Sequence, residues 1–351
     1  MSESNKQRLI VTPDYLVPNV TDILDARSPS EFQLDHIPGA ITWPVLDDEQ
    51  RAEVGTLYTK DSFAAKKLGA QYVTENISNG IEKYLADKEP NFCPLVYCWR
   101  GGQRSLSLAT ILSQIGWRCY LLDGGYKSYR AGVRDLLAQQ VPKYSLIVVS
   151  GLTGTAKTKI LKHLTELGEQ VIDLEDLAKH RGSLLGAEPS IPQPSQKLFE
   201  SALAEAFRQL DPNKVVWIES ESNKIGNLQV PIALWKLMCS TRQVVISAPL
   251  RARTDYILKE YKELTETPAI LNKKLSYLSH RISKEIFSGW MNDIESGDWS
   301  SLVQSLLEDH YDPSYQRSLR NNKRQTIHSI DLNSCSQNHC LKAAKALCKI
   351  T

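Results

Sequence analysis

No apolar run in the chain approaches the roughly 20 residues that a bilayer span needs, so no membrane-spanning helix is expected. The opening stretch, MSESNKQRLIVTPDYL, lacks the apolar core of a secretory signal. Seven cysteines are present without any paired C-x-x-C spacing, which argues against a metal-ligand framework. An odd cysteine count without a secretory signal reads as reduced thiols, and a cytoplasmic location is expected. There is no internal repeat and no long low-complexity tract. An excess of one charge is lacking too: 42 Lys and Arg face 40 Asp and Glu, a net charge of +2. A polyanionic partner must then be met by local basic patches and not by a global field.

What is present is an ordinary globular balance, 42% hydrophobic and 23% charged, over 351 residues. That length suits two domains of about 100–200 residues each. TDILDAR (21–27), PLVYC (94–98) and CYLLDGG (119–125) read as short buried strands, and RSLSLATILSQIG (104–116) as a helix ending at Gly116. The polar, proline-bearing AQQVPKYS (138–145) marks a boundary. The strand pattern then restarts with SLIVVSG (145–151), followed by EQVIDL (169–174), VVWIES (215–220) and RQVVISAP (242–249). From about 254 to 320 the pattern is mainly helical. TIHSIDL (326–332) reads as a last strand before a polar, mildly helical tail. Strands alternating with helices predict two parallel-sheet α/β domains, over residues 1–138 and 143–351, the second with a helical C-terminal region.

Two loops carry the chemistry. Cys98 ends a strand, and Trp99-Arg100-Gly101-Gly102-Gln103-Arg104-Ser105 leads into a helix. A glycine-bearing loop at a helix N-terminus is an anion cradle. Arg100 and Arg104 add positive charge, so the Cys98 thiol is expected below its ordinary value of about 8.5 and ready to act as a nucleophile. For a lone cysteine the plain alternative is a buried strand-end residue; the glycines and arginines favour chemistry. The loop resembles a rhodanese active site. Asp25-Ala26-Arg27 with Glu31-Phe32, and Asp35-His36-Ile37-Pro38-Gly39-Ala40, are similar to further rhodanese segments, so the resemblance covers roughly 10–137. It implies a rhodanese-like domain whose cysteine handles a chalcogen. Cys98 to Arg104 spans C-x5-R, the longer loop of phosphatase relatives, which suits a tetrahedral phosphate oxyanion. Cys93, Cys119 and Cys239 lie in apolar surroundings and read as core; Cys335, Cys340 and Cys348 receive no role.

The second loop, Gly151-Leu152-Thr153-Gly154-Thr155-Ala156-Lys157-Thr158, follows a strand and opens a helix. It is close to G-x-x-x-x-G-K-[ST], whose amides and lysine hold a diphosphate while the hydroxyl can reach a metal. The second domain is therefore expected to be P-loop NTPase-like. Ala156 stands where glycine is usual, and a methyl there is tolerated only if the backbone avoids positive φ or the ligand sits further out. Asp173 and Glu219 end neighbouring strands at the expected ligand edge. They would orient a metal ion, Mg2+, or a water; equally, Glu219 could face solvent. Arg251 and Arg253 follow the next strand, as lid arginines over phosphate or as a solvated helix start.

The order of the two domains is more specific than either alone. With HRGSLLG (180–186), ESESNKIG (219–226) and HYDPSY (310–315), the chain resembles the bacterial tRNA 2-selenouridine synthase family over most of its length to about residue 320. That resemblance implies a transferase acting on tRNA whose wobble uridine already carries sulfur at C2. Selenophosphate supplies selenium to replace the sulfur. Geranyl diphosphate supplies a geranyl group that makes the sulfur a better leaving group. The residues suggest that Arg100, Gly101, Gly102 and Arg104 receive selenophosphate beside Cys98, and that Gly151, Gly154, Lys157 and Thr158 hold the diphosphate. Arg181, in a glycine-flanked loop, could meet tRNA phosphate or stack on a base. Arg317, Arg320, Lys323 and Arg324 form a basic cluster, either an RNA contact or a solvated helix face. Three rivals stand: a sulfurtransferase or C-x5-R phosphatase with an accessory nucleotide-binding domain, a kinase dominated by the second domain, and a non-catalytic binding module.

Overall fold

The computed structural model describes residues 8–182, 185–186, 191–220, 222–262, 267–319 and 322–350. The chain divides into two compact units, Met1–Leu136 with Pro194–Glu205, and Leu137–Gln193 with Ala206–Thr351. The first unit therefore takes in a segment that lies beyond the sequence boundary at 138. Among the described residues no helix is long and apolar enough to cross a membrane.

The first unit is built on five parallel strands: β1 (Leu9–Thr12), β2 (Asp22–Asp25), β3 (Ile41–Thr42), β4 (Pro94–Tyr97) and β5 (Cys119–Leu122), in the order β1-β5-β4-β2-β3. The central strand β4 is buried throughout, as expected of an apolar run covered on both faces. Against the sheet lies the helix Gln103–Ile115, burying Leu108, Ala109 and Leu112 at helical spacing. Each fully buried leucine contributes about 1.5–3 kcal/mol. The Cys98 loop leaves the C-terminal end of β4, the edge at which parallel sheets present ligand sites.

The second unit repeats the plan with β6 (Ser145–Ser150), β7 (Gln170–Ile172), β8 (Val215–Glu219), a short hairpin of β9 (Lys224–Ile225) and β10 (Leu228–Gln229), β11 (Arg242–Ser247) and β12 (Gln325–Asp331). The main sheet runs β12-β11-β6-β8-β7, all parallel. Ile147, Val149, Trp217, Val244 and Ile246 face the phosphate-loop helix Lys157–Glu166 through Ile160, Leu161 and Leu164. The tail, read from sequence as only mildly helical, forms the helix Gln337–Leu347. It buries Cys340, Ala343, Ala344 and Leu347 in that same core. Small residues at i, i+3 and i+4 let it approach closely, so Cys335 and Cys340 are core residues and Cys348 packs half-buried at the edge. Helices between Pro268 and Leu319 gather a separate apolar cluster around Trp290, Leu271, Leu275, Leu302 and Leu306.

Two candidate anion sites and an apolar cleft

The Cys98 loop is locked backbone to backbone against the turn after β5. Tyr126 N–H donates to Cys98 O at 2.8 Å and Lys127 N–H to Trp99 O at 3.0 Å. A Cβ on Gly125, at φ +54°, would strike Cys98 O and lie 2.6 Å from Gly101 N, so only glycine allows this approach. Cys98 is 3% exposed. Its sulfur accepts from Ser105 Oγ at 3.1 Å, and the thiol lies 3.8 Å from Gly102 O. Ser105, one turn into the helix, was read from sequence only as part of the loop; it is the donor that meets the sulfur.

Neither arginine of the loop hydrogen-bonds the sulfur. Arg100 is exposed. Arg104 pairs with Glu31 at 2.7 Å, and Glu31 also holds Arg51 at 3.1 Å and accepts from Ser28 N–H at 3.1 Å. Burial alone would raise the Glu31 carboxyl; the hydrogen bond and charge of Arg104, with help from Ser28 and Arg51, carry it below its ordinary value. Arg104 thus reaches the loop as a guanidinium fixed by a carboxylate, not one resting on sulfur. Beneath the loop, Arg27 and Asp25 form a buried ion pair at 2.6 Å. Tyr97 donates to Asp25 at 2.6 Å and Tyr126 to Asp35 at 2.7 Å, while the Arg27 guanidinium lies 4.0 Å over the Tyr126 ring. Burial and the neighbouring Asp25 push the Tyr97 hydroxyl well up, so it stays a donor. The D-x-R and D-H-I-P segments therefore serve as the rigid floor of the cysteine loop.

In the second unit the loop after β6 has the expected shape. Gly151 and Gly154 take φ +158° and +84°. The Lys157 ammonium donates to Gly151 O at 2.9 Å and lies 3.3 Å from Leu152 O, inside the loop. Ala156 takes φ +59°, ψ +30° with its methyl buried. Of the two conditions that would admit a methyl here, avoidance of positive φ is not met, and the chain accepts strain of about 1–2 kcal/mol to keep the loop's shape.

Asp173 and Glu219 stand at the sheet edge as expected, but both are engaged. Asp173 caps the helix Leu174–Ala178 by accepting from Asp176 N–H at 2.8 Å. Burial pushes its carboxyl up against that hydrogen bond. Glu219 is 1% exposed and accepts from Glu175 N–H at 2.7 Å, and Thr158 Oγ1 donates to Glu175 at 3.1 Å. Among the described residues no three His, Cys, Asp or Glu groups converge to hold a metal. An Mg2+ would have to rely on Thr158, Glu175 and the ligand's own oxygens.

The C-terminal strap of this unit corrects several expectations. Arg253 is not a lid arginine. It is 3% exposed, with Nε donating to Thr153 O at 2.9 Å and Nη1 and Nη2 gripping Asp312 at 3.0 and 2.7 Å. A guanidinium spent this way braces the loop's backbone, and its charge is met by Asp312. Arg251, by contrast, is exposed at the helix start. Tyr315 accepts from Gly151 N–H at 3.0 Å. HYDPSY is therefore the segment that ties down the phosphate loop.

The residues expected to meet tRNA disperse. Arg181 donates to Glu260 O at 2.7 Å and lies 4.9 Å over the Tyr261 ring, already stacked on a protein aromatic. Arg317 is exposed and bonds Pro313 O and Ser314 within its own helical turn. Lys323 is exposed, and Arg320 lies outside the described residues. Arg324 is not a surface contact. Its Nε donates to Met238 O at 2.6 Å and its Nη1 to Ser220 Oγ at 2.6 Å.

One feature had no sequence signal beyond scattered apolar residues. A narrow apolar cleft opens beside Thr153 of the phosphate loop, lined by Ile257, Leu271, Trp299, Leu302, Leu306 and Tyr311 among others. Among the described residues its polar side-chain groups are those of Thr153, Tyr261, Tyr311 and the Trp299 indole. A phosphate loop therefore shares a residue with a hydrocarbon-lined cleft.

Comparison with known proteins agrees with both halves. Residues 12–132 match the model of the rhodanese-like domain. Residues 144–345 match that of the tRNA 2-selenouridine synthase AAA domain. The tRNA 2-selenouridine synthase of Nitrosomonas europaea is 34% identical over 69% of this chain, though the match spans only 63% of that relative's length. That of Bdellovibrio bacteriovorus is 32% identical over 85% of this chain and 88% of its own length. That of Sulfurovum sp. is 29% identical over 89% and 92%. By these matches and by its paired loops, the chain belongs to the tRNA 2-selenouridine synthase family.

Proposed function

We propose that this protein converts 2-thiouridine at the wobble position of tRNA to 2-selenouridine through an S-geranylated intermediate. The observation that carries the reading is the apolar cleft beginning at Thr153 of the phosphate loop. A nucleoside triphosphate would ask that region for polar contacts to ribose and base; a prenyl diphosphate asks for hydrocarbon. Ten geranyl carbons at about 0.8 kcal/mol per buried CH2 would contribute up to about 8 kcal/mol of gross binding. The loop amides and Lys157 take the diphosphate. Thiouridine sulfur attacks the first geranyl carbon, a carbon–sulfur bond forms, and diphosphate departs with the electron pair of the broken carbon–oxygen bond. The positive charge at its oxygens makes that departure easier. The base then loses its N3 proton.

The cysteine loop receives selenophosphate, with Arg104 held by Glu31 and Arg100 exposed. The selenium of selenophosphate attacks C2 and geranylthiolate leaves; the Cys98 thiolate, steadied by the Ser105 hydroxyl, then attacks phosphorus and breaks the phosphorus–selenium bond to leave 2-selenouridine, and water frees the cysteine as inorganic phosphate departs. The test is mass spectrometry of wobble nucleosides after the full chain meets thiolated tRNA and geranyl diphosphate, with and without selenophosphate. S-geranyl-2-thiouridine is expected without selenophosphate and 2-selenouridine with it. Stoichiometric phosphoryl transfer from ATP in place of geranylation would defeat the reading.

A further inference from the structure

Arg324 is a half-buried cation that lacks an anion. Its Nε donates to the Met238 carbonyl at 2.6 Å, and its Nη1 to Ser220 Oγ at 2.6 Å and toward Ser150 Oγ at 3.4 Å. Nη2 has no hydrogen bond, and no carboxylate pairs with the guanidinium among the described residues. Burial pulls its proton affinity down, and the nearest compensating groups are Tyr315 and Cys239, not an acid. A guanidinium this dehydrated is costly to leave without negative charge. The two fully buried guanidinium groups have their acids: Arg27 has Asp25 and Arg253 has Asp312.

The position of Arg324 says which anion is missing. Ser150 is the last residue of β6 and is bonded to Gly151, whose carbonyl the Lys157 ammonium touches and whose N–H Tyr315 accepts. Ser220 directly follows Glu219 at the end of β8. Two cations, Lys157 and Arg324, therefore contact consecutive residues, Gly151 and Ser150, where the phosphate loop leaves the sheet. We infer that Arg324 is a second cation of the phosphate-loop site, its Nη2 edge binding an oxygen of the diphosphate that Lys157 faces. This rests on the phosphate-loop reading given above and adds to it a residue from beyond HYDPSY. The two N–H donors of Nη2, held in the plane of a guanidinium that is already anchored at Nε and Nη1, suit an oxyanion better than a freely rotating ammonium does.

The experiment is titration calorimetry of the full chain with inorganic pyrophosphate, and in parallel filter binding of tRNA, for Arg324→Lys, Ser220→Ala and Lys157→Ala. Arg324→Lys keeps the charge and loses the fixed Nη2 donors; pyrophosphate affinity is expected to fall about tenfold or more, with tRNA affinity unchanged. Ser220→Ala loosens the guanidinium without removing it and is expected to weaken pyrophosphate by a smaller factor, so it decides the matter if Arg324→Lys fails to fold. If Lys157→Ala weakens pyrophosphate and neither of the others does, the inference on Arg324 is wrong and the phosphate-loop reading stands. If Lys157→Ala also leaves pyrophosphate binding intact, the phosphate-loop reading itself fails. Loss of tRNA affinity with normal pyrophosphate binding in Arg324→Lys would overturn the inference in favour of an RNA contact.

Discussion

Asp312→Asn is the sharpest probe of the strap that holds the phosphate loop. The Arg253–Asp312 pair is bidentate at 3.0 and 2.7 Å, and the same guanidinium carries Thr153 O at 2.9 Å. The arginine side chain is 4% exposed and the aspartate 18%. Removing one partner of a buried pair costs about 3–5 kcal/mol, and the partial exposure of Asp312 places this case near 3 kcal/mol. For a unit of this size each kcal/mol moves the melting temperature by about 2–4 °C, so a fall of about 6–12 °C is expected by scanning calorimetry. Pyrophosphate affinity should fall with it, because Thr153 loses its brace. Replacing both partners, as Arg253→Met with Asp312→Leu, should be less damaging than the two single costs added together, by 1 kcal/mol or more on the order expected of contacting residues. A shift below about 2 °C, or strict additivity, would show that the pair is not what holds the loop.

Other expectations follow from single residues. Cys98→Ser should abolish formation of 2-selenouridine while S-geranylation proceeds, as read by nucleoside mass spectrometry; persistence of selenation would remove Cys98 from the mechanism. Ala156→Gly should relieve about 1–2 kcal/mol of left-handed strain and lose about 0.8 kcal/mol of methyl burial, a net gain of up to about 1 kcal/mol in urea unfolding. A clear loss of stability would contradict the φ of +59°. Glu31 is held below its ordinary value of 4.5, so its contribution is present above that pH and is lost as pH falls through the lower folded value. Wild type should therefore lose its stability margin over Glu31→Gln on acidification from pH 7 toward pH 3, and a pH-independent difference between the two would refute the pairing.

The sheets were legible in the sequence because their strands are short apolar runs between breakers. PLVYC became Pro94–Tyr97 and SLIVVSG became Ser145–Ser150. Both loops were legible for the same local reason, a strand followed by glycines and a helix. The roles of the arginines were not. A guanidinium at position 253 reads as a lid or a solvated helix start until Asp312, far along the chain, is seen to hold it. Arg324 belonged to a basic cluster only on paper, because Met238 and Ser220 come from other elements. The cleft was hidden since its lining is spread from Thr153 to Tyr311. The final helix was underread because alanine and cysteine carry little hydrophobic signal, though their spacing was helical.

The first unit reclaims Pro194–Glu205 from deep within the second half of the chain. Within it, Arg130 meets Glu200, and Ser195 donates to Leu34 O. A gene fragment stopping at residue 138 would encode every strand of the rhodanese-like sheet yet omit part of that unit's own body. Splitting this chain for separate assay of its halves is thus better done by supplying the 194–205 peptide in trans, or by grafting it after residue 136, than by truncation alone.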